Sequence, residues 1–368
     1  MTLSKKLDSL TAPGTLYEKL DDNALRCFAC GHRCLIREGK RGICKVRFNK
    51  GGELRVPFGY VAALQADPIE KKPFYHFLSG ENALSFGMLG CDLHCDYCQN
   101  WFTSQALRDP ASDEAGRIVR EVSAEQLIAL AQQTDSKIIA STYNEPLITS
   151  EWAVEIFKKA KKAGLKTAMI SNGHATPEAL DYLAPHLDGY KIDLKSMQEK
   201  NYRHLGGVLQ SVLDSIIRAH KLGLWVEVVT LVVLDFNDSN AELWEAARFL
   251  AEISPNIPWH VTAYHRDYKR QSGENTAVDT LIRAADIGRE AGLNYVYAGN
   301  AHGLTGEYES TRCPSCNQVL ITRRGFTICD YKITGEGNCP HCGTAVAGVW
   351  ADEPSNVKLN SFGMPRVI

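Results

Sequence analysis

The chain has 368 residues, room for about two domains or one barrel-sized domain with attachments. Its 44% hydrophobic and 23% charged residues are those of an ordinary globular protein, which excludes collagen-like, disordered and membrane-embedded classes. Lys plus Arg (41) nearly balance Asp plus Glu (43), so nucleic acid is not the expected partner. The start, MTLSKKLDSLTAPG, lacks the apolar middle of a signal peptide, and no run of eighteen apolar residues follows. The expectation is a cytoplasmic protein without a membrane segment.

In chain order, residues 1–80 hold Cys27, Cys30, Cys34 and Cys44 and a basic, glycine-punctuated stretch at 37–52. They read as a small metal-stapled module with a lead-in. Residues 81–300 alternate short β-branched runs with stretches of helical period, the pattern of repeated βα units. Strands are expected at 83–89, 137–142, 165–170, 189–194, 224–233, 259–264 and 293–298, and helices at 124–133, 151–163, 177–183, 209–222, 241–253 and 277–291. Gly164, Gly223 and Gly292 each follow an apolar helix and precede a strand, the expected left-handed stop. The fold class is therefore α/β with a parallel sheet, either open or a complete or partial barrel. Residues 301–368 carry Cys313, Cys316, Cys329, Cys339 and Cys342 among turn residues, too little apolar material for a core without a staple.

Of the 12 cysteines all but Cys329 fall in three tight groups, which in a reducing compartment read as metal ligands before disulfides. Cys91, Cys95 and Cys98 follow the first expected strand, at the sheet edge where ligands collect in α/β folds. Three thiolates suit a 4Fe-4S cluster with one iron open to an outside ligand, whereas structural zinc requires a fourth donor. His94 directly precedes Cys95 and is poorly placed to supply it. Cys313, Cys316, Cys339 and Cys342 have paired Cys-x2-Cys knuckles, resembling a zinc ribbon with a folding role. Cys329 is expected to be a buried spectator. Cys27, Cys30, Cys34 and Cys44 suit structural zinc or a second iron–sulfur cluster that relays electrons, with His32 as a substitute ligand.

The Cys-x3-Cys-x-aromatic-Cys run of Cys91, Cys95, Tyr97 and Cys98 resembles the signature of radical S-adenosylmethionine (SAM) enzymes. The resemblance implies a partial (β/α)6 TIM-like barrel with Cys-rich modules at both ends. It further implies a 4Fe-4S cluster whose open iron chelates SAM, an external electron donor of flavodoxin or ferredoxin type, and reductive cleavage to methionine and a hydrogen-abstracting 5′-deoxyadenosyl radical. It places Tyr97 beside adenine and assigns to the SAM pocket Asn144 and Glu145 after the second strand, Ser171 and Asn172 after the third, Asp193 and Lys195 after the fourth, and His265 after the sixth. The bland alternatives are a helix cap at Glu145, a turn at Asn172 and Gly173, and a surface ion pair between Asp193 and Lys195. The runs from Asp67 to Phe77, Cys98 to Asn100, Tyr143 to Pro146 and Tyr297 to Asn300 are similar to the radical SAM protein of the AmmeMemoRadiSam system, which implies Memo-like and AMMECR-like partners. The alternatives are a glycyl-radical-enzyme activase like the pyruvate formate-lyase activating enzyme, and a non-catalytic zinc scaffold. Phe74, Tyr75, His76, His174 and Arg266 are expected at the substrate mouth.

Overall fold

The computed structural model describes residues 2–360 and the strand backbone of Arg366–Val367. All seven expected strands lie in one sheet, in chain order and parallel. They are β2 (Asn82–Gly87), β3 (Ser136–Ser141), β4 (Lys166–Ser171), β5 (Gly189–Asp193), β6 (Trp225–Val232), β7 (Trp259–Ala263) and β8 (Val296–Gly299). The last begins later than expected, because residues 293–295 still belong to the turn out of the preceding helix. Helices α1 (Ala124–Gln133), α2 (Ser150–Lys162), α3 (Pro177–Leu183), α4 (Leu209–Lys221), α5 (Asn240–Ile253) and α6 (Val278–Glu290) make the six crossovers. The sheet does not close on itself, so the architecture is a partial barrel of six βα units and a final strand.

Local sequence explains the element ends. Ser123 and Gln126 form a reciprocal capping box at α1, and Thr176 caps α3 with Pro177 in the first turn. Gly164, Gly223 and Gly292 all adopt positive φ, as their position after a helix requires.

The sheet extends beyond the parallel set. Strand β1 (Ala63–Pro68), from the segment read as lead-in, pairs antiparallel with β2, and Arg366–Val367 pairs with β1 at the edge. Residues before it form two small antiparallel sheets around Leu16, Leu25, Ile36, Leu54 and Val56, which pack on Ala179 and Tyr182 of α3. The sequence suggested a module lacking apolar periodicity because its strands are only two to five residues long. The C-terminal module is a hairpin of β9 (Val319–Arg324) and β10 (Thr327–Tyr331) whose core includes Tyr75, Tyr295 and Tyr297.

One buried ion pair ties the N-terminal module to the barrel. Arg47 Nη1 and Nη2 donate to Glu151 Oε2 and Oε1, both at 2.7 Å, and Nη1 also donates to the Ile148 carbonyl. Burial raises the Glu151 carboxyl, but Arg47 outweighs it and holds the group below its ordinary 4.5. Arg47→Ala strands a buried carboxylate and is expected to cost about 3–5 kcal/mol at neutral pH. Urea unfolding checks this. The gap to wild type should narrow as pH falls, first as the variant's unpaired carboxyl, raised by burial, protonates above 4.5, and then below 4.5 as wild type loses the pair.

Candidate functional site

After β2 the chain turns at Gly90, whose φ is +98°. A Cβ there would lie 3.2 Å from the Cys44 carbonyl oxygen, so glycine lets the N-terminal module approach the loop that follows. That loop carries Cys91, Cys95 and Cys98, all lining one cavity of about 430 Å³ at the carboxyl edge of the sheet. Leu93 N–H points at Cys91 Sγ (3.3 Å) and Ser104 Oγ lies 3.2 Å from Cys98 Sγ. Burial pushes the Cys95 thiol up to about 12, and burial with the Asp92 charge pushes Cys91 well up. Such thiols ionise only beside a cation, and Cys91 sulfur already receives the Leu93 N–H. The donor set therefore fits an iron–sulfur cluster with one iron left free of protein. His94 is exposed and packs against Gly206.

The residues expected after the second and third strands line the same cavity, but their polar atoms are largely spent on the loops themselves. Asn144 Oδ1 accepts from Met88 N–H (2.8 Å), and its Nδ2 donates to the Glu145 carbonyl. Glu145 accepts from Leu147 N–H, Ser171 Oγ–H and Asn172 N–H at 3.0, 2.7 and 2.8 Å. It is a helix cap as well as cavity wall. Burial and the Asp92 charge nevertheless push its carboxyl up to about 8.

Asp193 and Lys195 form a half-buried pair on the cavity wall, with Lys195 Nζ 3.2 Å from Asp193 Oδ2. Lys191, absent from the sequence reading, bonds the other carboxylate oxygen. Burial would raise Asp193, but the two lysines overcome it and hold the carboxyl down to about 2. Lys195 in turn is raised, burial being outweighed by Asp193. Two ammonium groups on one carboxylate leave a surplus positive charge facing the cavity. Tyr97 is buried, edge-on to Tyr264 and Phe236, and also lines it.

Six expectations are corrected by position. His265 is exposed, with Nε2 2.9 Å from Gln99 Nε2, and does not line the cavity. Strand β7 ends at Ala263 and Tyr264 takes the inward place, so the next side chain faces out. Phe74 packs on Ala83, Ile138 and Ala168 near the starts of the strands, at the opposite end from the cysteines. Tyr75 and His76 are buried there too, their backbone N–H groups held by the Glu227 carboxylate. His76 also meets Tyr297 Oη and the Ala347 carbonyl, so this run plugs the barrel floor. His174 is fully buried below the loop, and Arg266 is exposed.

Asp92 is the residue that sequence reasoning missed. Its Oδ1 accepts from Asn172 Nδ2 and its Oδ2 faces His174 Nδ1, both at 2.8 Å, while its carbonyl faces His32 Nε2 at 3.1 Å. Burial opposes ionisation, but His174 and Asn172 hold the carboxyl down to about 2. The available signal was an acid directly after a ligand cysteine.

Among the described residues, two sets have ligand atoms all within 4.8 Å of one another: Cys313, Cys316, Cys339 and Cys342, and Cys30 with Asp92 and His174. In the first, Cys313 and Cys342 sulfurs are 3.5 Å apart and those of Cys316 and Cys339 are 3.7 Å apart. Those spacings match the edge of a zinc tetrahedron, about 3.8 Å for Zn–S bonds of about 2.3 Å. Cys329 lies on β10, half-buried and outside the quartet. Cys27, Cys30 and Cys44 are buried and Cys34 half-buried, close enough that Cys27, Cys34 and Cys44 all bear on Cys30 after burial and Asp92.

A sequence profile of the radical SAM superfamily matches residues 87–250, from the end of β2 into α5. An uncharacterized protein of Methanocaldococcus jannaschii is 36% identical over 333 residues, 90% of this chain and 97% of its own length. The pyruvate formate-lyase-activating enzyme of Clostridium pasteurianum is 26% identical over 172 residues, 46% of this chain and 67% of that enzyme. A radical SAM methyltransferase from Sphaerobacter thermophilus superposes with a TM-score of 0.46 at 14% identity, covering 84% of this chain and 81% of its own. With its three loop cysteines at the head of the matched region, this chain belongs to the radical SAM superfamily.

Proposed function

We propose that the chain is a radical SAM enzyme of the AmmeMemoRadiSam type, acting on a substrate other than a glycyl-radical protein. The observation that carries the reading is the convergence of Cys91, Cys95 and Cys98 on one cavity walled by Asn144, Glu145, Ser171, Asn172, Asp193 and Lys195. When bound on the three cysteines, the 4Fe-4S cluster supplies the electron that cleaves SAM to methionine and a 5′-deoxyadenosyl radical. The Lys195 ammonium pairs with the methionyl carboxylate, and the Asp193 carboxylate accepts from ribose hydroxyls. Because Glu145 and Asn144 are tied to the backbone, their part is to hold the β3 loop in the shape that meets the methionyl ammonium, with the Glu145 charge behind it. Tyr97 walls the adenine side and, with Tyr264, excludes water.

The same proposal assigns zinc to the tightly spaced C-terminal quartet, in a folding role. It includes an external donor of flavodoxin or ferredoxin type and, through the flanking resemblance, Memo-like and AMMECR-like partners. All 12 cysteines are free of disulfides, which suits a reducing cytoplasmic setting. No helix among the described residues is long and apolar enough to cross a membrane. Coverage supports a reading apart from the glycyl-radical activases, since the Methanocaldococcus relative matches 90% of the chain and the Clostridium enzyme under half of it.

Anaerobically reconstituted protein given SAM and dithionite should release 5′-deoxyadenosine, measured by chromatography. Cys95→Ala should abolish the release while leaving zinc content unchanged. Absence of product from iron-loaded wild type contradicts the reading. Lys195→Ala should weaken SAM binding by roughly tenfold or more, the loss of one charge-assisted hydrogen bond of about 1.5–3 kcal/mol, read by equilibrium dialysis. In the binding assay, Glu145→Gln should flatten a rise in SAM affinity between about pH 6.5 and pH 8: the cationic ligand favours the ionised Glu145 carboxylate, whose pKa without ligand is pushed up to about 8.

A further inference from the structure

The N-terminal cysteine module is clamped directly onto the Cys91 loop. Arg108 donates to the Ile43 and Cys91 carbonyls at 2.9 and 3.0 Å, joining the residue before Cys44 to the first cysteine of the loop. His32, between Cys30 and Cys34, meets the Asp92 carbonyl, and Gly31 N–H donates to the His174 carbonyl at 2.8 Å. A Cβ on Gly31 would lie 2.5 Å from His174 Nε2, so only glycine permits this approach. Cys30 sulfur itself lies within 4.8 Å of the Asp92 carboxylate and the His174 ring. Asp92 follows Cys91 in the chain, so the two cysteine sets are separated by one layer of polar side chains.

Ligand spacing separates the three sets. Zinc draws four sulfurs to about 3.8 Å from one another, as in the C-terminal quartet, whereas a cubane cluster keeps them about 6 Å apart because each sulfur sits outside a different corner. Among the described residues, neither the N-terminal quartet nor Cys91, Cys95 and Cys98 is gathered within 4.8 Å. Neither set is drawn to the spacing of the C-terminal quartet.

The outer face of the module is also distinctive. Leu35 and Ile43, next to Cys34 and Cys44, are large apolar side chains left 54% and 39% exposed. The same segment carries the exposed Arg37 and Lys40 with exposed Glu38 between them, the half-exposed Lys45, and Arg33 paired with Glu178 at 2.6 Å. An apolar spot at the least buried cysteine of the module, on a segment where Arg37, Lys40 and Lys45 outnumber Glu38, fits a small acidic redox protein.

We propose that Cys27, Cys30, Cys34 and Cys44 hold a second 4Fe-4S cluster that relays single electrons from an acidic one-electron carrier protein, docked on Leu35 and Ile43, to the cluster on Cys91, Cys95 and Cys98. The carrier loses one electron and the N-terminal cluster goes from 2+ to 1+. It returns to 2+ as the cluster on Cys91, Cys95 and Cys98 goes from 2+ to 1+, with no bond or proton changing hands. The relay rests on the radical SAM reading for its acceptor.

The triple variant Cys91→Ala, Cys95→Ala, Cys98→Ala leaves every N-terminal ligand in place. Reconstituted wild type should hold about 8 iron per chain by metal analysis and Mössbauer spectroscopy, and the triple variant about 4, with a reduced-cluster EPR signal indifferent to SAM. Zinc in place of iron in the triple variant overturns the proposal. The radical SAM reading is tested separately by a SAM-responsive signal in Cys30→Ala, Cys34→Ala protein, and can fail while the triple variant still holds its iron. For the relay, Ile43→Asp keeps all cysteines and should slow reduction of the SAM-responsive cluster by reduced flavodoxin roughly tenfold, with dithionite reduction unchanged. Equal rates with flavodoxin overturn the docking and relay.

Discussion

Everything at the carboxyl edge depends on one buried charge. Asp92 has no exposure, yet burial of a carboxylate is strongly unfavourable unless it is hydrogen-bonded and paired. Asn172 and His174 meet that demand from the end of β4, and His32 meets the adjacent carbonyl from the N-terminal module. A single residue thus fixes the Cys91 loop, by its side chain to the neighbouring strand end and by its carbonyl to the module beneath it. The cysteines can then project into a cavity without their loop needing contacts of its own with solvent or ligand. Asp92 also explains why Glu145, a few bonds away in the same network, carries a raised carboxyl: two buried acids in one region cannot both ionise easily.

The opposite end of the barrel is closed by a second polar arrangement. Arg323 reaches from β9 into the floor, donating to the Tyr75 carbonyl, Ser79 Oγ and Thr311 Oγ1 and lying over the Tyr75 ring. Glu227 and His260 pair at 2.7 Å beside it. With His76 and Tyr297, these side chains occupy the place that an open barrel would leave to water. The reactive end and the stapled end are therefore different in kind. One holds a cavity of about 430 Å³ with a surplus cation, and the other is filled around Arg323, with Arg323 Nε and Glu70 Oε2 left without hydrogen-bond partners.

The βα core was legible because its signals are local: β-branched runs, caps at Ser123 and Thr176, and a glycine after each of three helices. The cysteine groups were legible because ligand spacing is a sequence property. Less was legible where function depends on long-range packing. The run from Phe74 to His76 has aromatic and ionisable types suited to a mouth, but β1 reverses the chain and carries it to the floor. Glu145 and Asn144 lie where expected, yet the backbone groups they satisfy come from residues up to 56 positions away, which spacing does not reveal. Lys191 was invisible as a site residue because alternation in β5 looks the same for a solvent-facing and a cavity-facing lysine. His265 was misplaced by a single step of that alternation.

The central claim is that the free corner of an iron–sulfur cube in this cavity takes the methionyl end of SAM, with Lys195 and the β3 loop guiding it there. Electron–nuclear double resonance on the reduced, reconstituted chain, with SAM isotopically labelled at the methionyl amino nitrogen, addresses it directly. The account predicts a hyperfine coupling between that nitrogen and the cluster, lost in Cys95→Ala. A fully loaded, reduced cluster that shows no coupling to saturating SAM would contradict it.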